Sequence, residues 1–113
     1  MRYDPQTVYA AARAWYLAQP GLPPHVAASA GHPHQLYLAI YVRGDEEGHY
    51  HLAGPRLYRV LEGEDGQRNC SQDALREAAG SLGHVILRHR ASRDERFWPT
   101  WRAFAEEVGL ASL

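Results

Sequence analysis

Between residues 35 and 53 the chain reads QLYLAIYVRGDEEGHYHLA, and the alternation in this stretch limits the fold more than any other feature. Leu36, Leu38, Ile40 and Val42 alternate with Tyr37, Ala39, Tyr41 and Arg43, the period of two of a strand with one buried face. The turn-forming run Gly44, Asp45, Glu46, Glu47 and Gly48 breaks the pattern, and His49, Tyr50, His51, Leu52 and Ala53 resume it. An antiparallel hairpin is expected. With Arg43 opposite His49, Val42 and Ile40 fall opposite Tyr50 and Leu52, so the aliphatic side chains share one face. A one-residue slip would set both imidazoles among those aliphatics, which the cost of burying polar groups disfavours. The other face then carries Tyr37, Tyr41, Arg43, His49 and His51, an aromatic and cationic surface met by solvent, a helix or a partner.

The rest of the chain supplies helices and further strands. Asp4 and Pro5 form a good helix start, and Val8, Ala11, Ala12 and Trp15 make an apolar stripe, so a helix is predicted over 5–18, ending before Pro20 and Gly21. Pro23 and Pro24 open a short helix over 24–30. Gly54 and Pro55 interrupt the ladder, and residues 57–62 read as strand, either the second strand continued past a kink or a third one. Ser71 is placed to cap a helix over 72–79; Val85, Ile86 and Leu87 lie in a buried strand over 84–89; residues 90–96 form a charged connection. A last helix over 97–108 would align Phe97, Trp101, Phe104 and Val108 and leave Trp98 to one side, exposed. The expected architecture is a single α+β domain spanning 1–113. Its antiparallel or mixed sheet has three to four strands (35–43, 49–53, 57–62 and 84–89), with helices on one face.

Composition narrows the function classes. A chain of 113 residues is the size of one domain, and its hydrophobic content of 45% is that of an ordinary globular protein. No apolar run reaches the ~20 residues of a membrane span, and the N-terminal MRYDPQTVY lacks the layout of a secretory signal. With one cysteine, Cys70, no intrachain disulfide forms, and a cytoplasmic location is expected. A net charge of −1 offers no global attraction to nucleic acid or to anionic lipid. All 12 basic residues are arginine, which fits a GC-rich genome, and a bacterial or phage source is expected. A chain without lysine cannot use a phosphate-loop lysine, a Schiff-base lysine or a lysine base.

Seven histidines raise the question of metal binding. In the hairpin described, His34 lies about nine residues from the loop, roughly 30 Å at ~3.3 Å per residue. His32 and His34 are therefore separated from His49 and His51, and no cofactor or metal is expected. The triplet His49-Tyr50-His51 alone resembles the metal-binding motif of the HUH nucleases. That resemblance, three residues long, implies metal-dependent nuclease chemistry with Tyr9 or Tyr16 as nucleophile. The ordinary reading of the same residues is a pair of partly exposed histidines. Cys70 with a histidine, or Ser71 with His84, pairs a nucleophile with a base formally, without a surrounding motif. Arg88 and Arg90 precede Phe97, Trp98 and Trp101, a mixture that grips phosphates and stacks on bases; a single-stranded nucleic-acid platform is one alternative. The leading expectation is a non-catalytic interaction module that binds a protein partner or a second copy of itself. Its contacting residues would be Tyr37, Tyr41, Arg43, His49, His51, Arg88, Arg90 and Trp98, of which the Tyr, Trp and Arg are types favoured at interface hot spots.

Overall fold

In the computed structural model, residues 3–32, 34–46, 48–54, 56–61, 66–81 and 83–110 are described. They form one α+β unit with four helices and one antiparallel sheet of six strands. The first helix, α1 (Pro5–Leu17), starts at Asp4, whose carboxylate accepts from the Thr7 N–H at 3.1 Å. A short α2 (Pro24–Ser29) buries Val26 and leads to β1 (Leu36–Ile40) and β2 (Gly48–Ala53). Next come β3 (Arg56–Leu61), β4 (Gln67–Asn69), α3 (Gln72–Gly80), β5 (Val85–His89), β6 (Glu95–Trp98) and α4 (Trp101–Val108). Strand order across the sheet is β4-β3-β2-β1-β5-β6, with β1 at the centre. No helix among the described residues is long and apolar enough to cross a membrane.

The hairpin period sorts the side chains as expected. Leu36, Leu38, Ile40 and Leu52 are wholly buried, joined by Val85 and Leu87 of β5 and packed with Val8, Tyr16, Leu75 and Phe104 from three helices. Each such aliphatic residue contributes roughly 1.5–3 kcal/mol through burial. The helices thus gather on the aliphatic face.

Several expectations need correction. The sheet has six strands rather than three to four: residues 56–61 make a separate β3, and β4 and β6 are additional. Ile40 pairs with Tyr50 and Ala39 with His51, a shift of two residues from the expected register. An even shift preserves the face of every side chain, so burial alone does not select between the two. The first strand ends at Ile40 rather than at 43, and Asp45, whose N–H donates to the Val42 carbonyl at 3.2 Å, ion-pairs with Arg59 of β3. The final helix begins at Trp101, not at 97. Pro99 disfavours helical geometry at Trp98, and the Thr100 hydroxyl caps α4 by accepting from Ala103 N–H at 3.1 Å. Residues 95–98 instead pair with β5, Ile86 opposite Phe97 and Val85 opposite Trp98. Trp98 is accordingly buried (5% exposed), between Trp15 and Phe104, whereas Phe97 is 62% exposed. Ser71 occupies the cap position of α3 without a side-chain cap bond.

Candidate functional site

The face of the sheet opposite the helices carries the feature that most resembles a binding site. Alternation along five strands brings Tyr37, Ala39 and Tyr41, His49, His51 and Ala53, Val60, Gln67, and Ile86 and Arg88 to one concavity of about 530 Å³, with His34 and Arg90 at its rim. That volume lies within the range of ligand pockets. The floor is low because Ala39 and Ala53 stand at the centre of the sheet among larger neighbours. Backbone pairing continues past the strand end: Arg90 N–H donates to the Gln35 carbonyl at 2.7 Å and holds Arg90 beside the start of β1.

One row of rings crosses this face. Tyr41 stacks on His49 of β2 at 4.6 Å (20° between planes) and on His84, just before β5, at 4.3 Å (8°). Phe97 on β6 completes the row, 5.5 Å from His84 and tilted by 37°. These separations match the ~4.8 Å between neighbouring strands, so the rings stand upright and cover one another's faces. What the row presents outward is ring edges, with a hydroxyl and imidazole nitrogens. Nearer the other end of the strands, Tyr37 meets His51 edge to face at 4.4 Å.

The polar groups at that end are unequally satisfied. Arg88 donates from Nη1 to the Tyr37 hydroxyl at 3.0 Å and ion-pairs through Nη2 with Glu95 of β6. The Tyr37 hydrogen bond, followed by the Glu95 contact, holds the guanidinium pKa above its usual value. Gln67 Nε2 lies 3.3 Å from His51 Nδ1. Burial, reinforced by His49, His34 and Arg88, pushes the His51 pKa down to about 4, so its ring is neutral near pH 7. Burial and then the Arg59 charge lower His49 as well. His51 Nε2 and Arg88 Nε are both buried and have no hydrogen-bond partner among the described residues.

Six of the eight residues expected to bind, Tyr37, Tyr41, His49, His51, Arg88 and Arg90, meet in this concavity. Arg43 does not. It lies in the loop after β1 and lines a separate hollow with Tyr41, His84 and Thr100. Trp98 lies on the helix-covered side, where its Nε1–H donates to Glu107 at 3.1 Å. His34 joins the site contrary to the distance argument. The two-residue register shift moves His51 from the level of Tyr41 to that of Ala39, closer to His34, and His34 contributes to lowering its pKa. Sequence reasoning also missed His84, Phe97 and Gln67. The alternation His84, Ile86, Arg88 would have placed His84 on this face, and Pro99 would have made Phe97 part of a strand.

The nuclease-like arrangement finds little to build on. Among the described residues no group of three or more His, Cys, Asp or Glu is placed to hold a metal ion. Tyr16 is fully buried on the helix side, where it donates to Asp94 at 3.0 Å; burial and that bond raise its pKa to about 12. Tyr9 also packs toward the helix-side core, so the sheet separates both tyrosines from His49 and His51. Cys70 is half-buried, with its thiol donating to the Arg68 carbonyl at 3.5 Å. Compared with protein-family models, with curated proteins and with solved structures, the chain matches none.

Proposed function

We propose that this protein is a non-catalytic interaction module that docks a protein partner on the open face of its sheet. The observation that carries this reading is the meeting of Tyr37, Tyr41, His49, His51, Arg88 and Arg90 in one concavity whose lining, among the described residues, contains no carboxylate. Its positive and hydrogen-bond-donating character suits a partner surface bearing acidic side chains. Tyrosine and arginine at the centre of a concave patch are the side chains that dominate binding energy in protein interfaces. The exposed Phe97 at the end of the ring row extends the patch with an apolar contact.

A single-stranded nucleic acid is the second reading, favoured by Phe97 together with the exposed Arg90. One feature weighs against it: a base-stacking platform needs ring faces turned outward, whereas those of Tyr41 are covered on both sides.

Capture of a partner from the native host by the purified chain, followed by measurement of the isolated complex, tests the proposal. Tyr41→Ala with His49→Ala should reduce affinity at least about tenfold, a loss of ~1.4 kcal/mol or more, while Arg102→Glu at an exposed position of α4 leaves it unchanged. Equal affinity of the double variant would remove the sheet face from the interface. Binding of single-stranded oligonucleotide that falls steeply with salt and is lost in Arg90→Ala would favour the second reading.

A further inference from the structure

We infer that the docking concavity is built around a single carboxylate, an aspartate or glutamate side chain presented by the protein partner, gripped between His51 Nε2, Arg88 Nε and the Tyr37 hydroxyl. The inference rests on the sheet-face docking reading and goes beyond it by specifying the chemistry at the centre of the contact.

Three donors support it. With Gln67 Nε2 donating to His51 Nδ1, the single proton of the neutral imidazole sits on Nε2, making that atom a donor. Nε2 is buried without a partner among the described residues. Two of the guanidinium nitrogens of Arg88 are committed, Nη1 to Tyr37 and Nη2 to Glu95, leaving Nε–H buried and equally unmatched. The Tyr37 hydroxyl accepts from Arg88, so its own proton is available to donate. Buried donors without acceptors are costly, and two in one concavity are most simply explained by an acceptor that arrives from outside. Arg90, which makes no ion pair among the described residues, supplies the uncompensated positive charge at the rim, since that of Arg88 is balanced by Glu95. A carboxylate fits this set better than a phosphate. Two or three donors, one of them a neutral imidazole, satisfy two oxygens, whereas phosphate brings more charge and more acceptors than the site can meet. A side chain is favoured over a free carboxylic acid because the concavity is one part of a wider contact surface that includes Phe97.

The test uses the isotopically labelled full chain and three probes: an acidic peptide rich in Asp and Glu, its Asn/Gln counterpart, and inorganic phosphate. The acidic peptide should shift the His51 ring and Arg88 Nε–H resonances saturably, and bind roughly tenfold or more tightly than the Asn/Gln peptide. His51→Phe, which keeps a ring against Tyr37, should abolish that preference while the remaining amide spectrum shows the fold intact. Arg88→Gln provides a second variant should His51→Phe fail to fold. Equal binding of the two peptides, or no shift at these two groups, overturns the carboxylate inference. Tighter binding of phosphate overturns the choice of a protein side chain as its source. Capture of the native partner that is lost in Tyr41→Ala with His49→Ala but survives both His51→Phe and Arg88→Gln would leave sheet-face docking standing and the carboxylate inference refuted.

Discussion

At the scale of single residues, burial has consequences that can be titrated. The folded-state pKa of His51, about 4, lies below the ~6.5 of an unfolded histidine, so below that value the unfolded chain binds the extra proton first. Stability is therefore fully present above pH ~6.5 and declines as pH falls toward 4; the lowered pKa values of His49 and His89 act in the same direction. Discounted for partial exposure, the share of His51 is on the order of 1 kcal/mol. Urea midpoints followed across this range should fall with pH, and His51→Gln should flatten the fall. Two glycines give a second contrast. A Cβ on Gly83 would lie 1.3 Å from the Tyr41 carbonyl oxygen and 2.4 Å from its carbon, so Gly83→Ala must displace the backbone that follows β1 and should cost about 2 kcal/mol or more. Gly80, at the end of α3, has no heavy atom within 4 Å of such a Cβ, and Gly80→Ala should be neutral or stabilise by ~0.5–1 kcal/mol in the same denaturation measurement.

At the scale of elements, the β5–β6 hairpin determines which aromatic residue packs and which is displayed. Its turn is held by Arg93 N–H donating to the His89 carbonyl at 2.8 Å and by Ser92 N–H donating to His89 Nδ1 at 3.1 Å. Arg93 there adopts a positive φ of 60°. Consecutive residues on a strand point to opposite faces, so Trp98 enters the core while Phe97 joins the ring row. Trp98→Ala should destabilise the protein by about 3–5 kcal/mol, whereas Phe97→Thr, which retains strand propensity, should change stability by no more than ~0.5 kcal/mol. Had residues 97–108 formed one helix with Phe97 in its apolar line, the order of these two costs would be reversed. At the start of α4, Thr100→Ala removes the cap and should cost about 1 kcal/mol by thermal or chemical denaturation.

At the scale of the whole molecule, helices cover one side of the sheet and polar rings stand on the other, which under the proposed function divides stability from recognition. A formal net charge of −1 gives no long-range attraction, so any steering of the proposed partner would come from the local arginines of the sheet face. Arg90→Glu should therefore lower the association rate of the partner severalfold and weaken its salt dependence, with thermal stability unchanged. The division into two faces was legible from residues 35–53, because a period of two sends the same side chains to the same face under any even register. For the same reason Leu36, Leu38, Ile40 and Leu52 could be assigned to the core and Tyr37, Tyr41, His49 and His51 to the opposite side before any fold was known. The register itself was not legible, since any even register buries the same side chains and hydrophobicity does not choose among them. Strand β4 was hidden because Gln67–Asn69 is exposed throughout and carries no apolar period; β6 was hidden because Phe97, Trp101, Phe104 and Val108 also satisfy a helical one. By itself, then, the sequence determined the Asp4 cap of α1, the strand period and the chemical contrast between the two faces, all properties of neighbours along the chain. Only the tertiary structure decided that Arg88 and His84 stand beside Tyr37 and Tyr41, that Glu95 balances Arg88, and that His51 and Arg88 line one concavity, because these depend on β5 pairing with the distant β1 and on β6 pairing with β5.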